Sequence, residues 1–410
     1  MADLSVASQY PEDVSSVLDS RVFSVDFADL NPAVLLLARQ LAASAVQRDR
    51  EGGSALAEKE LIRSSGLLGL SVPRQFGGRE TPWPAIYAIT RYLAAVDSSL
   101  AHLFAFHHLQ VGTILLFGDA WQQRYWLGRT IEESWFWGNA TNGRDTGLQL
   151  VRKDEHYELN GSKSFCSGAL GADALVVSAP RSARADDRVF ALVPGRRDGL
   201  LVKEDWDGFG QRQTDSGTVH FESVFVDSRD LLEAGPGAPR GTLRTCLSQL
   251  ILVQIYLGNA QGALSAALDY TREQTRAWPA SGVSKATDDP FMQQRYGDLW
   301  LRFRSAQLLA DEAAQLLQKA WENPAVTAAQ RGEVALAIAQ AKVVSARAAL
   351  AITAQIFEAM GARATSASYG FDRFWRNVRV HTLHDPLDYK VKDIGHWLLS
   401  GEPPVASVYS

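Results

Sequence analysis

The hydrophobic period of this chain changes twice. Over roughly the first 130 residues apolar positions recur every three or four residues, the spacing of a helix with one buried face. Asn31-Pro32 supplies a capping side chain and then a proline at the first helical position. Val34, Leu37, Leu41 and Ala45 carry the helical spacing on to Asp49. Residues 56–65 predict a second helix that ends in a glycine turn at 66–69, residues 73–78 a loop, and residues 84–96 and 99–117 two longer helices. From Ser134 to about Leu232 the apolar runs become short, alternating and bounded by turns. Asn160-Gly161 predicts a hairpin turn between strands at 157–159 and 163–165. Further strands are expected at 174–179, 189–193 and 218–226. In the last, Val219, Phe221, Ser223 and Phe225 fall on one face and His220, Glu222, Val224 and Val226 on the other. Helical spacing returns from about Gly241, over 243–276, 290–321 and 328–360, with Gly361 placed as a C-cap. The pattern predicts an N-terminal α-helical domain (1–133), a central β domain (134–238) and a C-terminal helical bundle (239–410).

Composition narrows the function classes. A net charge of −5 with no basic run gives no surface for a phosphate backbone, so no nucleic-acid partner is expected. The two cysteines, Cys166 and Cys246, have neither the number nor the spacing for a disulfide framework or a zinc site, which fits a reducing compartment; no metal is expected. Residues 1–10 lack a basic segment followed by an apolar core. The most apolar stretch, 243–257, is interrupted by Ser248 and Gln254 and is too short to span a bilayer. A cytoplasmic protein without a membrane partner is the expectation. Eleven tryptophans favour apolar pockets that accept planar ligands, although any single one is more readily a packing residue.

The densest chemistry lies in Arg376-Asn377-Val378-Arg379-Val380-His381-Thr382-Leu383-His384-Asp385-Pro386. Two imidazoles and a carboxylate fall within five residues, ahead of a proline that forces a turn, and a His-Asp pair held this way can give and take protons near neutral pH. Other candidates are ambiguous when taken alone. His102 on an apolar helix reads as a core histidine, Asn139 as a turn residue and Ser167 as a strand-end hydroxyl. Trp206 reads as a β-domain core residue, Arg276 and Arg363 as solvated helix charges, and His107 and His108 as surface or packing residues.

Several local sequences, in order along nearly the whole chain, resemble the acyl-CoA dehydrogenase superfamily. Val72-Pro73-Arg74-Gln75-Phe76-Gly77-Gly78 is similar to its Val-Pro-Glu-x-Tyr-Gly-Gly loop. Leu159-Asn160-Gly161-Ser162-Lys163 is similar to its Leu-Asn-Gly-x-Lys hairpin, and Tyr270-Thr271-Arg272 lies where its Tyr-x-x-x-Arg helix segment falls. The implied fold is mainly α with a central β domain: an N-terminal helical domain, a middle β-barrel or sandwich and a C-terminal four-helix bundle. Departures from the pattern point to one branch. Trp135-Phe136-Trp137-Gly138-Asn139 replaces the Thr-Glu-Pro segment, and Gly361-Ala362-Arg363-Ala364 replaces a Gly-Gly-x-Gly segment that helps hold the adenine half of FAD. His384-Asp385-Pro386 stands where the catalytic glutamate usually does. With Phe165-Cys166-Ser167-Gly168 and Leu383-His384-Asp385-Pro386, these features resemble the two-component FMN-dependent monooxygenases similar to dibenzothiophene monooxygenase.

That resemblance implies an enzyme that takes reduced FMN from a separate NAD(P)H:flavin reductase, reacts it with O2 and transfers one oxygen atom from a flavin hydroperoxide. The acceptor is a small organic substrate, with sulfur as the expected atom, as in organosulfur oxidation and desulfurization. It further implies His102, Ser167, His384 and Asp385 as catalytic residues. Flavin contacts are implied at Phe106, Asn139, Ala140 and Thr141, at Lys163, Ser164, Phe165, Cys166 and Ser167, and at His384. Arg276, Ala362 and Arg363 are implied at the FMN phosphate; the resemblance places the flavin at a subunit interface, where one arginine serves a neighbouring subunit, and Gln274 in the usual arginine position shifts the burden to Arg276. Trp206 and Asn139 are implied as walls of the substrate pocket, Asn142-Gly143 as the start of a mobile flap, and a homotetramer as the assembly. The competing expectation is an FAD-dependent acyl-CoA dehydrogenase with Asp385 as its base.

Overall fold

The computed structural model describes residues 32–181, 188–233, 238–407, 409 and 410; the expected cap at Asn31 lies outside them. The first predicted helix is two helices, α1 (Pro32–Ala42) and α2 (Ala45–Glu51), because the chain turns at Ala43-Ser44. α3 (Leu56–Ser64), α4 (Trp83–Val96) and α5 (Ser98–Phe117) follow, and a one-turn 3-10 segment at Arg74–Phe76 sits inside the expected loop. α5 is buried on nearly every side from Ser98 to Ile114, without the single apolar stripe of a surface helix. It runs through the middle of the molecule, packed by α4, by α6 (Leu243–Glu273) and by strand β1 (Trp137–Ala140). Asp97 caps it by accepting the Leu100 amide at 3.0 Å.

The central region is a sandwich of two four-stranded sheets. One is ordered β1, β4 (Ala174–Pro180), β5 (Arg188–Pro194), β8 (Leu231–Leu232); the other is ordered β2 (Gln149–Lys153), β3 (His156–Lys163), β7 (Val219–Asp227), β6 (Leu200–Val202). Leu150, Leu159, Val177, Val193, Phe221 and Val224 fill the space between them. Two expectations fail here for one reason. Asn160-Gly161 is no hairpin turn but the middle of the continuous strand β3, at a register shift between Leu159 and Gly161. Opposite it, Ser223 adopts a φ of 48°, and its amide donates to Asn160 Oδ1 at 2.9 Å. The irregularity inverts the face of β7: Val219 and Phe221 point inward before it, Val224 and Val226 after it, and Phe225 is turned out. Gly161 is required there, since its φ is 119° and a Cβ would meet the Gly147 carbonyl oxygen at 2.0 Å.

The C-terminal bundle is α6 with α7 (Pro290–Glu322), α8 (Ala328–Met360), α9 (Asp372–His381) and α10 (Leu387–Ser400). α8 starts at a capping box, Thr327 with Gln330, and stops at Gly361, whose φ is 84°. Its alanines let neighbouring helices approach closely; Ala339, Ala346 and Ala349 are buried. α5, α6 and α8 are long and apolar enough to cross a membrane, yet 83%, 94% and 67% of their most apolar windows are buried inside the fold, so core packing accounts for their composition. The Lys59–Asp215 ion pair (2.5 Å), Arg48 donating to Gln213 Oε1 (2.5 Å), Gln211 Nε2 donating to Ser98 Oγ (2.5 Å) and the Gln211 amide donating to Asn377 Oδ1 (2.6 Å) anchor the 206–217 loop against α3, α2, α5 and α9 in turn.

Candidate functional site

The α5 backbone places His102, Phe106 and Gln110 at four-residue steps on one face. The His102 imidazole stacks on Phe106 with 4.1 Å between centroids and lies 4.9 Å from His381 of α9. Neither ring nitrogen of His102 has a hydrogen-bond partner among the described residues, and burial, with the nearby His384, pushes its pKa down to about 3. It is therefore a neutral imidazole with two unsatisfied polar atoms in an aromatic niche. A buried polar group in that state calls for a ligand with complementary hydrogen bonds. Phe106 carries no hydroxyl, so the imidazole is the polar member of this stacked pair.

The β wall meets this face at β1. Asn139 Oδ1 accepts from Gln110 Nε2 at 3.2 Å and from Thr141 Oγ1 at 2.6 Å, while its backbone amide donates to the Ser167 carbonyl at 3.0 Å. Ala140 is fully buried between them. The Ser167 hydroxyl does not turn back on its own backbone. It joins a chain of hydroxyls to Ser216 (2.8 Å) and Thr214 (2.7 Å). The Cys166 thiol is buried and inert, its pKa pushed up to about 12 by burial. Phe165 is 59% exposed at a φ of 55° and meets the half-buried Trp206 edge-on at 6.0 Å. Trp206, whose Nε1 donates to the Gln211 carbonyl at 2.8 Å, lies at the rim of the β domain rather than in its core. Lys163 points inward: its ammonium donates to the Asn142 carbonyl (2.7 Å) and to Ser178 (3.3 Å), and burial lowers its pKa to about 8. Asp145 accepts from the amide and the hydroxyl of Ser164 at 2.6 and 2.8 Å. Lys163 and Ser164 thus brace the 141–147 segment from behind.

His384 and Asp385 follow α9. His384 Nδ1 sits 2.9 Å from Asp385 Oδ1, with the imidazole exposed and the carboxylate buried. Asp385 also pairs with Lys342 of α8, whose ammonium donates in addition to Gln249. Burial alone would raise the Asp385 pKa, but the His384 hydrogen bond and the Lys342 charge hold it well below the usual carboxylate range. Lys342 and Gln249 join the cluster without having been legible as site residues, and His381 of the same stretch faces His102 at 4.9 Å. Lys342 is one cation in an alanine-rich helix, with no local signal that its side chain turns inward.

The candidate phosphate ligands are elsewhere. Arg276, Ala362 and Arg363 are exposed at the far end of the bundle, where Thr275 Oγ1 donates to the Met360 carbonyl at 3.3 Å. Tyr256 bonds the His381 carbonyl, and α6 continues 17 residues beyond it to Glu273. At 1.5 Å per residue that is about 25 Å. Within one chain these arginines and His384 do not face the same small ligand. His107 and His108 are not at the surface. Both are fully buried, His107 bonding the Leu68 carbonyl and His108 bonding Ser71. Among the described residues no cluster of metal-ligating side chains occurs.

Three domain families match along the chain: the acyl-CoA dehydrogenase N-terminal domain over residues 33–134, the middle domain over 138–224 and the C-terminal domain over 250–389. The chain is 43% identical over 91% of its length, and 95% of the relative's, to a protein of Pseudomonas putida named a probable FMNH2-dependent monooxygenase, SfnC. Methanesulfinate monooxygenase MsuC from Pseudomonas fluorescens superposes with a TM-score of 0.91 at 42% identity, covering 93% of this chain and all of that one. The TdsC structure from Paenibacillus sp. A11-2 with FMN and indole gives 0.88 at 39% identity, with 92% and 99% covered. These matches favour the oxygenase reading over the FAD-dependent dehydrogenase, and the chain belongs to the acyl-CoA dehydrogenase family, in its branch of FMNH2-dependent monooxygenases that draw reduced flavin from a reductase.

Proposed function

We propose that the protein transfers one oxygen atom of O2 to the sulfur of a small organosulfur compound, with FMNH2 as reductant: substrate, O2 and FMNH2 give oxygenated substrate, FMN and water. The observation that carries this reading over α-proton abstraction from an acyl thioester is the state of Asp385. Its carboxylate is buried and tied to Lys342 and His384, and is too weak a base to remove a carbon-bound proton. The exposed imidazole beside it is free to deliver or accept one.

The unsatisfied nitrogens of His102 beside the Phe106 ring, and the hydroxyl chain at Ser167, suit a planar ring with hydrogen-bonding edges such as a flavin. When bound, FMNH2 would supply the two reducing equivalents and the site of O2 activation. His102 and Ser167 then bond the ring edge, with Asn139, Ala140, Thr141 and the Phe165–Cys166 backbone along it. His384 manages the proton, oriented by Asp385. Phe165 and Trp206 form an apolar lip over the substrate, and the 141–147 segment, braced by Lys163 and Ser164, excludes water. Arg276 and Arg363, with Ala362 beside them, hold the phosphate of a neighbouring subunit's flavin in a homotetramer. The exposed Phe291, Leu301 and Leu308 of α7 give that assembly an apolar face. We place the three domains at 1–133, 134–238 and 239–410, the protein in the cytoplasm, and the NAD(P)H:flavin reductase as a partner coupled by diffusion of FMNH2.

The test supplies FMNH2 from a separate reductase under 18O2, with methanesulfinate or dibenzothiophene as acceptor. One labelled oxygen per product is expected. Tight FAD binding with bleaching by an acyl-CoA under anaerobic conditions, and no labelled product, overturns the reading.

A further inference from the structure

Arg244 carries a charge that the chain around it does not balance. Its side chain leaves the second residue of α6 and lies between α5, β1 and β5. Nε donates to Thr113 Oγ1 at 2.8 Å and Nη2 to Thr141 Oγ1 at 3.3 Å, and the guanidinium carbon stands 4.7 Å from the centre of the Phe190 ring. All these partners are neutral, and among the described residues no carboxylate lies at ion-pair distance. Buried cations elsewhere follow both patterns: Lys163, Arg373 and Lys390 also meet neutral oxygens without an ion pair among the described residues, whereas four others are paired. Arg48 pairs with Asp97, Lys59 with Asp215, Arg91 with Asp311 and Lys342 with Asp385.

A guanidinium deep among protein elements costs free energy unless an anion comes with it. Here burial lowers the pKa only to about 10, so the charge remains at neutral pH. Arg244 nevertheless keeps some exposure, and Nη1 has no hydrogen bond among the described residues, so one edge of the fork faces open space. One partner of Arg244 belongs to the candidate site. Thr141 links Arg244 to Asn139 through two hydrogen bonds, and Asn139 holds both Gln110 of the α5 face and the Ser167 backbone. Phe190 covers one face of the guanidinium plane, which leaves its N–H edge for oxygen ligands.

We propose that Arg244, with Thr113 and Thr141, recognises an oxyanion on the substrate. The compound oxygenated here then carries a sulfinate- or carboxylate-type head and is not a neutral thiophene or thioether. A planar fork of N–H donors matches the two oxygens of such a group, which a single ammonium would not. The inference rests on the monooxygenase reading for what happens to the substrate, but not for the presence of the anion site.

The experiment is equilibrium titration of FMN-saturated protein with sodium methanesulfinate, sodium acetate and the neutral analogue dimethyl sulfone, at low and high salt. Methanesulfinate should bind at least about tenfold more tightly than dimethyl sulfone, and less tightly as salt rises. Arg244→Met should lose methanesulfinate affinity by roughly 30-fold while FMN and dimethyl sulfone affinities stay within about twofold, and Arg244→Lys should fall between. Acetate binding as well as methanesulfinate assigns a carboxylate head, and much weaker acetate binding assigns the sulfinate. Unchanged methanesulfinate binding in Arg244→Met overturns the proposal. So does an equal loss of anionic and neutral ligands, which would make Arg244 a strut for the 141–147 segment. If Arg244→Met does not fold, Thr113→Val and Arg244→Lys give the same comparison. Anion binding through Arg244 in a protein that takes up no FMN would overturn the flavin reading and leave this site standing.

Discussion

Two buried cations flank the same α6 helix with opposite solutions. Lys342 reaches across to Gln249 and finds Asp385, so its charge is neutralised inside the chain and passed on as orientation to His384. Arg244, at the start of the helix, finds threonine hydroxyls and a phenyl face among the described residues. The first arrangement is complete without a ligand and reads as a scaffold for an exposed imidazole. The second is incomplete, and stands ready for a charge that arrives with a ligand. Burial alone does not tell a structural charge from a functional one; at Arg244 the missing counter-charge counts because a free N–H edge and a partner shared with the candidate site accompany it.

The contrast is broken most severely at Lys342. Lys342→Met strands Asp385 in the interior and should cost about 3–5 kcal/mol of stability, whereas Arg244→Met strands no charge and should stay within about 1 kcal/mol. Denaturant midpoints of the two variants measure this directly, and equal losses would erase the distinction. His384→Phe leaves the Lys342–Asp385 pair intact and removes only the exposed ring. Product formation should fall by about 100-fold or more with the unfolding midpoint little changed, and unchanged turnover would remove His384 from the reaction. The last effect is graded with pH. His102 and His107 are held neutral by burial, with pKa values down to about 3 and 4, and burial also holds His108 and His381 well below the usual range. Between the ordinary value of about 6.5 and these depressed values the unfolded chain binds more protons than the folded one. Stability should therefore fall as pH drops from 6.5 towards 4, by about 1.4 kcal/mol per pH unit for each such histidine. His102→Phe should remove its share of the slope; a midpoint flat between pH 7 and 5 would contradict the buried neutral imidazoles.

Much of this was legible in the chain. Helical spacing located α4, α5, α7 and α8 to within a residue or two, because each buries a continuous apolar surface and local period reports burial. The His384-Asp385 contact was legible because the two residues are adjacent and a proline shapes the turn. The Asn160-Gly161 signal misled because the dipeptide's tolerance of unusual φ serves a bulge as well as a turn, and only the partner strand β7 decides which. Lys342 was not legible at all, since its partner is 43 residues away and nothing beside it in α8 marks the inward side.

By itself the sequence determined which segments are helical and which alternate, where the central β region begins, and which local motifs stand in family order. Each of these depends on neighbours within a few residues. Tertiary structure decided the charge states. It put Asp385 under Lys342, left both nitrogens of His102 without a partner among the described residues, and set Arg244 among neutral groups. The reason is physical: the energy of a buried charge depends on what other elements bring within a few ångströms, and no local period records that.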